Sequence, residues 1–338
     1  MPEPIWNLPR IELVELSTVK ETRTTALLTG NRAWSTVGPL LSLPTAIQAE
    51  PTNADIKYLD AMASALPEQV EVVYGVGGGL VADAAKYVAW KNNLPVVLIP
   101  TALSVDGFFT ALVAAREDGT VRYHTTGSAE KVIVDMDVIS TAPASIRGTG
   151  IVEILSMTTG LLDWKYAAER KQNTPLERFQ PWAASIAAGI AQQAYKIAAD
   201  VGAGKIEALR NLLDLICVEV QLTNQLGHNR PQEGSEQYFA YAVEPKLARN
   251  SGVPYADLVG PGILVAASLH KQNVAPIRDT LLSAGVRLDR IKRDDIISTL
   301  HMFPSYAVQH GLPFSILHES TLSDADAQKL IAETGLGQ

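Results

Sequence analysis

Cysteine is almost missing from this sequence of 338 residues, in which Cys217 stands alone. One thiol can build neither a disulfide framework nor a metal site of several cysteines. Long apolar runs are missing as well, since no segment approaches the roughly 18 uncharged apolar residues that span a bilayer. The N-terminus lacks the basic start and apolar core of a targeting peptide. These absences predict a cytoplasmic protein without a membrane-spanning segment.

Positive charge is in deficit: 28 Lys and Arg residues stand against 36 Asp and Glu residues, for a net charge of −8. No run of basic residues offsets this balance locally, which disfavours nucleic acids and lipid surfaces as partners. Hydrophobic residues make up 47% of the sequence and charged residues 19%, which is typical of a folded globular protein. The chain length suits two domains.

The first 140 residues or so alternate short β-rich runs with helical patterns. The β-rich runs are ALLTG, AIQAE, VEVVYGVGG, PVVLIP and KVIVD. This alternation predicts βαβ units and a mostly parallel sheet. From about Ala144 the pattern changes to long helical stretches, so we predict an α/β domain over 1–143 and an all-α domain over 144–338. Ligands of open parallel sheets bind at the carboxyl ends of the strands, which places the expected cleft where the helical domain meets those ends.

A glycine-rich turn, Gly75-Val76-Gly77-Gly78-Gly79, lies between a predicted strand and a predicted helix. Backbone amides and the positive end of the helix dipole at such a turn attract phosphate. The six-residue Rossmann spacing is not met, because position 80 is Leu, and no P-loop Lys-Ser or Lys-Thr follows. The turn alone therefore fits two interpretations, a pyrophosphate site and a tight connection without a ligand.

The wider string GGGLVADAAKYVAWKNNLPVVLIPTALSVDG resembles the superfamily of glycerol dehydrogenases, iron-containing alcohol dehydrogenases and dehydroquinate synthases. The combination of DAAKY, PTALSVDG and DWKYA is most similar to sn-glycerol-1-phosphate dehydrogenase. The resemblance covers most of the chain. It implies a dehydroquinate synthase-like fold with an α/β dinucleotide-binding domain and an all-α domain, and an oxidoreductase that uses NAD or NADP on a small polyol phosphate or ketose phosphate.

The resemblance also implies roles for individual residues. The cofactor-binding set comprises Gly77, Gly78 and Gly79 at the pyrophosphate, with Thr101, Ser104 and Thr110 as hydroxyl-bearing contacts. Asp106 would accept hydrogen bonds from substrate hydroxyls. Helix capping or turn formation is the alternative explanation for Thr101, Ser104 and Asp106.

Three further acidic or basic side chains have two interpretations each. Glu50, at the end of the second predicted strand, would accept both ribose hydroxyls and repel a 2′-phosphate, which favours NAD, although an exposed Glu beside Pro51 needs no such role. Asp83 and Lys86 follow the glycine turn, where a solvated i, i+3 ion pair is one explanation and a functional pair the other.

Members of this superfamily usually hold zinc or iron with one Asp and two His. The corresponding positions here are Glu153, Gln237 and Tyr255, and a further His position becomes Tyr241. A carboxylate is an acceptable ligand, but an amide and a phenol are poor ligands for zinc or ferrous iron, so we predict no tight binding of either metal. A hard ion held through waters by Glu153, Gln237 and Asp257 stays open.

Chemistry without a metal needs another source of the proton. One hypothesis is that Tyr241 or Tyr255 serves as the acid, with Glu153 as its partner or as a base. The alternative is that these rings fill the space left by metal and water. Arg230 either reaches a substrate phosphate or is a solvated turn arginine, and His228 beside it is expected to be a surface or capping group.

Two other functions remain open besides the dehydrogenase. One is a lyase or cyclase in which tightly held NAD oxidises and re-reduces one substrate, as dehydroquinate synthases do. The other is a non-catalytic nucleotide-binding homologue that has lost its metal ligands. The expected partner is a small phosphorylated polyol or ketone. The oligomeric state is open, with homodimers and larger assemblies common among similar proteins.

Overall fold

The computed structural model describes residues 5–247 and 253–337. By its contacts the chain divides into two compact units. The first contains the residues up to Pro143 together with Gly204–Gln221, and the second contains Ala144–Ala203 and the residues from Leu222 onwards. The segment Gly204–Gln221, which we placed in the second predicted domain, thus belongs to the first unit.

A six-stranded parallel sheet forms the centre of the first unit. Its strands are β1 (Arg10–Leu13), β2 (Thr25–Thr29), β3 (Thr45–Ala49), β4 (Val72–Gly77), β5 (Val96–Pro100) and β8 (Lys131–Val134), in the order β1-β8-β5-β4-β2-β3. Between β5 and β8 in the sequence, β6 (Leu112–Glu117) and β7 (Thr120–Thr125) form a separate antiparallel hairpin. The predicted mostly parallel α/β sheet is confirmed, and all five β-rich runs are strands in it.

Strand β4 runs through the middle of the sheet, between β2 and β5, and all of its residues are buried. A run of Val and Tyr suits such a strand, which is covered on both faces. Gly75 interrupts the run for a steric reason: a Cβ there would lie 2.7 Å from the Cβ of Ala85 and 2.9 Å from a methyl group of Leu98. The missing side chain lets the helix after β4 pack directly on the strand.

Helices cover this sheet. They are α1 (Asn31–Val37), α2 (Ile56–Ser64), α3 (Gly79–Lys91) and α4 (Met136–Ser140), with short 3-10 helices at Leu16–Thr18, Gly38–Leu40 and Asp106–Phe108. Helix α3 starts directly after β4, so its first turn lies at the carboxyl end of the sheet. Eight of its thirteen residues are buried, which is far more than one amphipathic face supplies.

The second unit is helical, as predicted. Its helices are α5 (Ala144–Arg147), α6 (Gly150–Glu169), α7 (Pro181–Gly202), α9 (Ser235–Val243), α10 (Ala256–Leu269), α11 (Val274–Ser283), α12 (Arg293–Gln309) and α13 (Asp324–Thr334), while α8 (Ile206–Leu226) is divided between the units. The backbones of α10 and α9 are in direct contact at Gly262, where a Cβ would lie 2.3 Å from the Glu236 carbonyl oxygen. Among the helices of the described residues, none has the length and apolar character to cross a membrane.

Candidate active site

The glycine turn joins β4 to α3 and contains three glycines with different surroundings. Gly77 has a φ of +157°, and a Cβ there would lie 3.0 Å from a Val81 methyl group. A Cβ on Gly79 would lie 2.8 Å from a Val105 methyl group. At Gly78 the nearest atom, the Ser104 hydroxyl oxygen, would be 4.0 Å away. Packing therefore requires glycine at 77 and 79, whereas Gly78 leaves open space at the start of the helix.

The loop after β5 borders this open space. The backbone N–H of Thr101 donates to the Gly77 carbonyl oxygen at 3.0 Å, which ties the loop to the turn. Thr101, Ser104 and Asp106 are half-buried. Gly78 is the N-cap residue of α3 and has no side chain with which to cap the first turn. Backbone amides, the helix dipole and a neighbouring hydroxyl fit an anionic phosphate.

Two predicted cofactor contacts have partners within the first unit. Glu50 is exposed after β3, and its carboxylate accepts hydrogen bonds from the Asn31 side chain at 2.6 Å and from the Asn31 backbone N–H at 3.3 Å. Thr110 is only 8% exposed. Its hydroxyl donates to the Leu112 carbonyl oxygen at 3.2 Å. The expected cofactor contacts of both residues stay predictions.

The solvated-pair interpretation of Asp83 and Lys86 is wrong. The Lys86 side chain is 1% exposed, and its Nζ lies 3.8 Å from a carboxylate oxygen of Asp83, which is itself largely covered. Burial raises the pKa of Asp83 to about 6, although the neighbouring Lys86 charge acts in the opposite direction. Burial likewise lowers the pKa of Lys86. The sequence spacing alone does not distinguish this buried pair from a surface pair.

In the second unit, three of the residues at or near the expected metal positions meet. Tyr255, at the N-cap of α10, donates its phenolic hydrogen to Gln237 Oε1 at 3.1 Å. The Tyr255 ring stacks with the Tyr241 ring, with centroids 6.5 Å apart and planes 22° apart. Tyr241 donates to a carboxylate oxygen of Glu233 at 2.8 Å, a partner that the sequence did not suggest. Glu153 lies half-buried in the first turn of α6.

These side chains do not fit a zinc or iron site. The Gln237 oxygen that would face an ion accepts a hydrogen bond from Tyr255, and a phenol offers a metal little unless it is ionised. One Asp257 oxygen accepts from the Arg287 backbone N–H at 2.9 Å and the other lies 3.7 Å from Arg290 Nε, so the hypothesis of a hard ion at Glu153, Gln237 and Asp257 stays a prediction. Within 5–247 and 253–337, no three His, Cys, Asp or Glu side chains form a group suited to a metal.

Two buried carboxylates fix the start of α9, the helix that carries Gln237 and Tyr241. Asp163 accepts from the backbone N–H of Ser235 at 2.7 Å. Its other oxygen accepts from the Ile316 N–H at 2.8 Å and lies 2.9 Å from His270 Nε2. Burial raises the pKa of Asp163, but the hydrogen bond and charge of His270, together with these N–H donors, outweigh it and lower the pKa.

Glu236 is the second of these carboxylates and is completely buried. One oxygen accepts from the Gly234 backbone N–H at 2.7 Å, and the other accepts from the Thr159 hydroxyl at 2.8 Å. Burial, reinforced by the Asp163 charge, raises the pKa of Glu236 to about 8. Neither carboxylate was a candidate from the sequence, although both position residues that were.

Arg230 is 2% exposed, so the solvated-arginine interpretation is wrong. Its guanidinium donates to the carbonyl oxygens of Phe314 at 2.7 Å and Asp163 at 3.3 Å. The His228 ring nitrogen Nδ1 accepts from the Arg230 backbone N–H at 3.3 Å within the turn between α8 and α9. Arg230 thus joins segments of the second unit through their carbonyl groups.

The buried Glu236 makes the stability of the second unit depend on pH. Its pKa in the folded state, about 8, lies above the ordinary value of 4.5, so the stability present at low pH is lost as the pH rises towards 8. We expect Glu236→Gln to remove this pH-dependent loss of stability, because an amide does not ionise. The Gln side chain can accept from the Gly234 backbone N–H and donate to the Thr159 hydroxyl oxygen. The Thr159 hydroxyl would then donate to the Ser156 carbonyl oxygen, which it already reaches at 3.2 Å.

The measurement is the thermal unfolding midpoint of both proteins from about pH 5 to about pH 9, on either side of this pKa. The variant should exceed the wild type by several degrees at the alkaline end and match it at the acidic end. Equal midpoints across the whole range would show that Glu236 does not titrate in this way.

The chain is similar to proteins of known class in its first unit and in its fold. Residues 12–143 match the family of iron-containing alcohol dehydrogenases. The fold matches a probable glycerol dehydrogenase from Sinorhizobium meliloti with a TM-score of 0.70 at 17% identity, covering 98% of both chains. An iron-containing alcohol dehydrogenase from Thermotoga maritima gives a TM-score of 0.65 at 14% identity, covering 98% of this chain and 99% of that one. These matches confirm the predicted resemblance and the predicted fold.

The chain is also similar to curated glycerol-1-phosphate dehydrogenases. The protein of that name from Aeropyrum pernix, designated NAD(P)+-dependent, is 29% identical over 276 residues, which cover 80% of this chain and 76% of the relative. The similarity to this group, predicted from DAAKY, PTALSVDG and DWKYA, is confirmed.

Proposed function

We propose that this protein is an NAD(P)-dependent dehydrogenase of a small polyol phosphate or ketose phosphate, with glycerol 1-phosphate as the first candidate substrate. The similarity to the Aeropyrum pernix glycerol-1-phosphate dehydrogenase supports the substrate class. The observation that carries the proposal is the open space at Gly78, bordered by the start of α3 and the Ser104 hydroxyl.

The residues of the first unit would hold the cofactor, which supplies hydride transfer when bound. The amides of Gly77, Gly78 and Gly79 would bind the pyrophosphate, and the hydroxyls of Thr101, Ser104 and Thr110 would contact or support the rest of the dinucleotide. Glu50 would accept the ribose hydroxyls and repel a 2′-phosphate, so NAD should bind more tightly than NADP.

The residues proposed to act on the substrate are Asp106, Glu153 and one of two tyrosines, Tyr241 or Tyr255. Asp106 would accept hydrogen bonds from the polyol. Of the two tyrosines, Tyr241 is 3% exposed and donates to Glu233, whereas Tyr255 is half-buried and donates to a neutral amide. Tyr255 is therefore the better proton donor to a developing alkoxide, with Glu153 as base, and Tyr241 supports its ring by stacking. No zinc or iron takes part.

Tyr255→Phe tests this assignment. Removing the phenolic oxygen should lower kcat by about 100-fold, which is the usual contribution of a positioned acid, and leave the dissociation constant of NADH unchanged. Tyr241→Phe is the matched variant, and its kcat should fall by much less because the stacked ring remains. If both variants retain full turnover, neither tyrosine donates the proton.

The test of the function itself is oxidation of glycerol 1-phosphate with NAD+ or NADP+ after treatment with a chelator. NAD(P)H should accumulate in proportion to substrate consumed, and added zinc should not raise the rate. Substrate loss without net NADH would favour the lyase or cyclase. Binding of NADH without any turnover, with and without zinc, would favour the non-catalytic homologue. The Tyr255–Gln237 hydrogen bond, at positions where the resemblance would expect metal ligands, is compatible with that alternative.

A further inference from the structure

Lys86 is a deeply buried charged group of the first unit that the proposed chemistry does not use. It lies in the middle of α3 and is 1% exposed. A buried ammonium is tolerated when acceptors replace its water shell, and here they do. Its Nζ donates to the Gly107 carbonyl oxygen at 2.6 Å and to the Leu112 carbonyl oxygen, and lies 3.5 Å from the carbonyl and hydroxyl oxygens of Thr110.

These acceptors lie in the loop between β5 and β6 and at Leu112, the first residue of β6. At its start, the loop is attached to the glycine turn by the hydrogen bond from Thr101 to Gly77. At its end, it is attached to α3 by the hydrogen bonds from Lys86 to backbone carbonyls. Asp106 lies between the two attachments, directly before the first carbonyl that Lys86 holds. Because α3 also starts at the glycine turn, one helix carries both the expected phosphate site and the lysine that anchors the loop.

The number of carbonyl oxygens around Lys86 Nζ matches the number of its hydrogen-bond donors. An ammonium group has three N–H donors, and carbonyl oxygens of three different residues surround it. Asp83, one turn earlier on α3, lies 3.8 Å from the ammonium and offsets its charge. A methionine at 86 would fill the same volume and leave those carbonyls without this donor, so the loop would lose its fixed conformation while α3 kept its packing.

We propose that Lys86 is a positioning residue: it fixes the loop over Gly107–Leu112 against α3 and thereby sets the place of Asp106 at the substrate. The role in catalysis depends on the proposed function, and the anchoring of the loop does not. Lys86 touches neither cofactor nor substrate in this proposal.

The test compares Lys86→Met with Lys91→Met, a lysine on the same helix that is 41% exposed and pairs with Asp60 at 3.0 Å. For Lys86→Met we expect kcat/KM for glycerol 1-phosphate to fall by about 30- to 100-fold, as displacement of a substrate-contacting group by about 1 Å causes. The dissociation constant of NADH should change little, because the glycine turn is intact. Lys86→Gln, which keeps two N–H donors, should restore part of the loss, and Lys91→Met should behave as the wild type.

Hydrogen exchange provides a readout that does not depend on activity. The amides of residues 107–112 should exchange slowly in the wild type and faster in Lys86→Met, with β4 and β5 unchanged in both. Fast exchange of this loop in the wild type would overturn the anchoring even if neither variant folded. Unchanged kinetics and unchanged exchange in a folded Lys86→Met would overturn it as well. If the wild type binds NADH but oxidises no glycerol 1-phosphate, the proposed function fails and the exchange comparison still decides the role of Lys86.

Discussion

Replacing Gly78 by valine is expected to abolish dinucleotide binding and leave the protein folded. A Cβ at this position meets no protein atom closer than the Ser104 hydroxyl oxygen at 4.0 Å, and the Gly78 backbone has a negative φ that other residues adopt. The side chain would instead occupy the space in which the pyrophosphate should lie. Overpacking a fitted site costs about 1–3 kcal/mol, so we expect the NADH dissociation constant to rise about tenfold for Gly78→Ala and more than about 100-fold for Gly78→Val.

Two matched glycines control for effects on the fold. Gly75→Ala should lower the unfolding midpoint, because its Cβ would lie 2.7 Å from Ala85, yet it adds nothing to the surface of the turn. Gly189→Ala, on α7 in the second unit with nothing within 4 Å, should leave both binding and fold intact. Calorimetric titration with NADH and thermal melting separate the two effects. Unchanged affinity in Gly78→Val would remove the glycine turn from the cofactor site.

Asp163→Asn is expected to destabilise the second unit by about 3–5 kcal/mol, the usual range when one partner of a buried charge network is removed. The carboxylate accepts two backbone N–H groups, from Ser235 and Ile316, and pairs with His270. An amide keeps one acceptor and turns an N–H towards a donor, so a backbone group loses its partner. A loss of this size corresponds to a drop in the unfolding midpoint of roughly 10 °C.

The consequence should reach the two side chains that contact Tyr255. Because the Ser235 N–H begins α9, the variant should also lower kcat through a displaced Gln237 and Tyr241. Glu236→Gln, on the same helix turn, is the matched variant, since an amide satisfies its two contacts and stability should be kept or gained. An Asp163→Asn protein that melts with the wild type would show that Asp163 does not stabilise the unit.

The sequence predicts the fold well where periodicity and turns are local. The five β-rich runs and the change to helices near Ala144 follow from patterns within a few residues. We missed β1, which has four residues. We also missed the hairpin of β6 and β7, although Asp118-Gly119 between them is a hairpin signal, and both residues have positive φ.

The site is predicted less completely because its supporting contacts are distant in sequence. Asp163 bonds to residues 72 and 153 positions away, and no local pattern marks such a partner. Lys86 is spaced from Asp83 as a surface pair would be. Apolar residues flank Lys86 on all faces of the middle of α3. This pattern is typical of a helix that is buried on every side, so it could have predicted a buried Lys86. Glu233, the partner of Tyr241, lies in a turn without distinctive composition.

Calorimetric titration of the wild-type protein with NADH and with NADPH, without added metal, bears most directly on whether the turn after β4 accepts a dinucleotide. We expect saturable binding of both at one site, tighter for NADH because of Glu50, and lost in Gly78→Val. If neither nucleotide produces a binding signal, the cofactor site and the dehydrogenase built on it are both wrong.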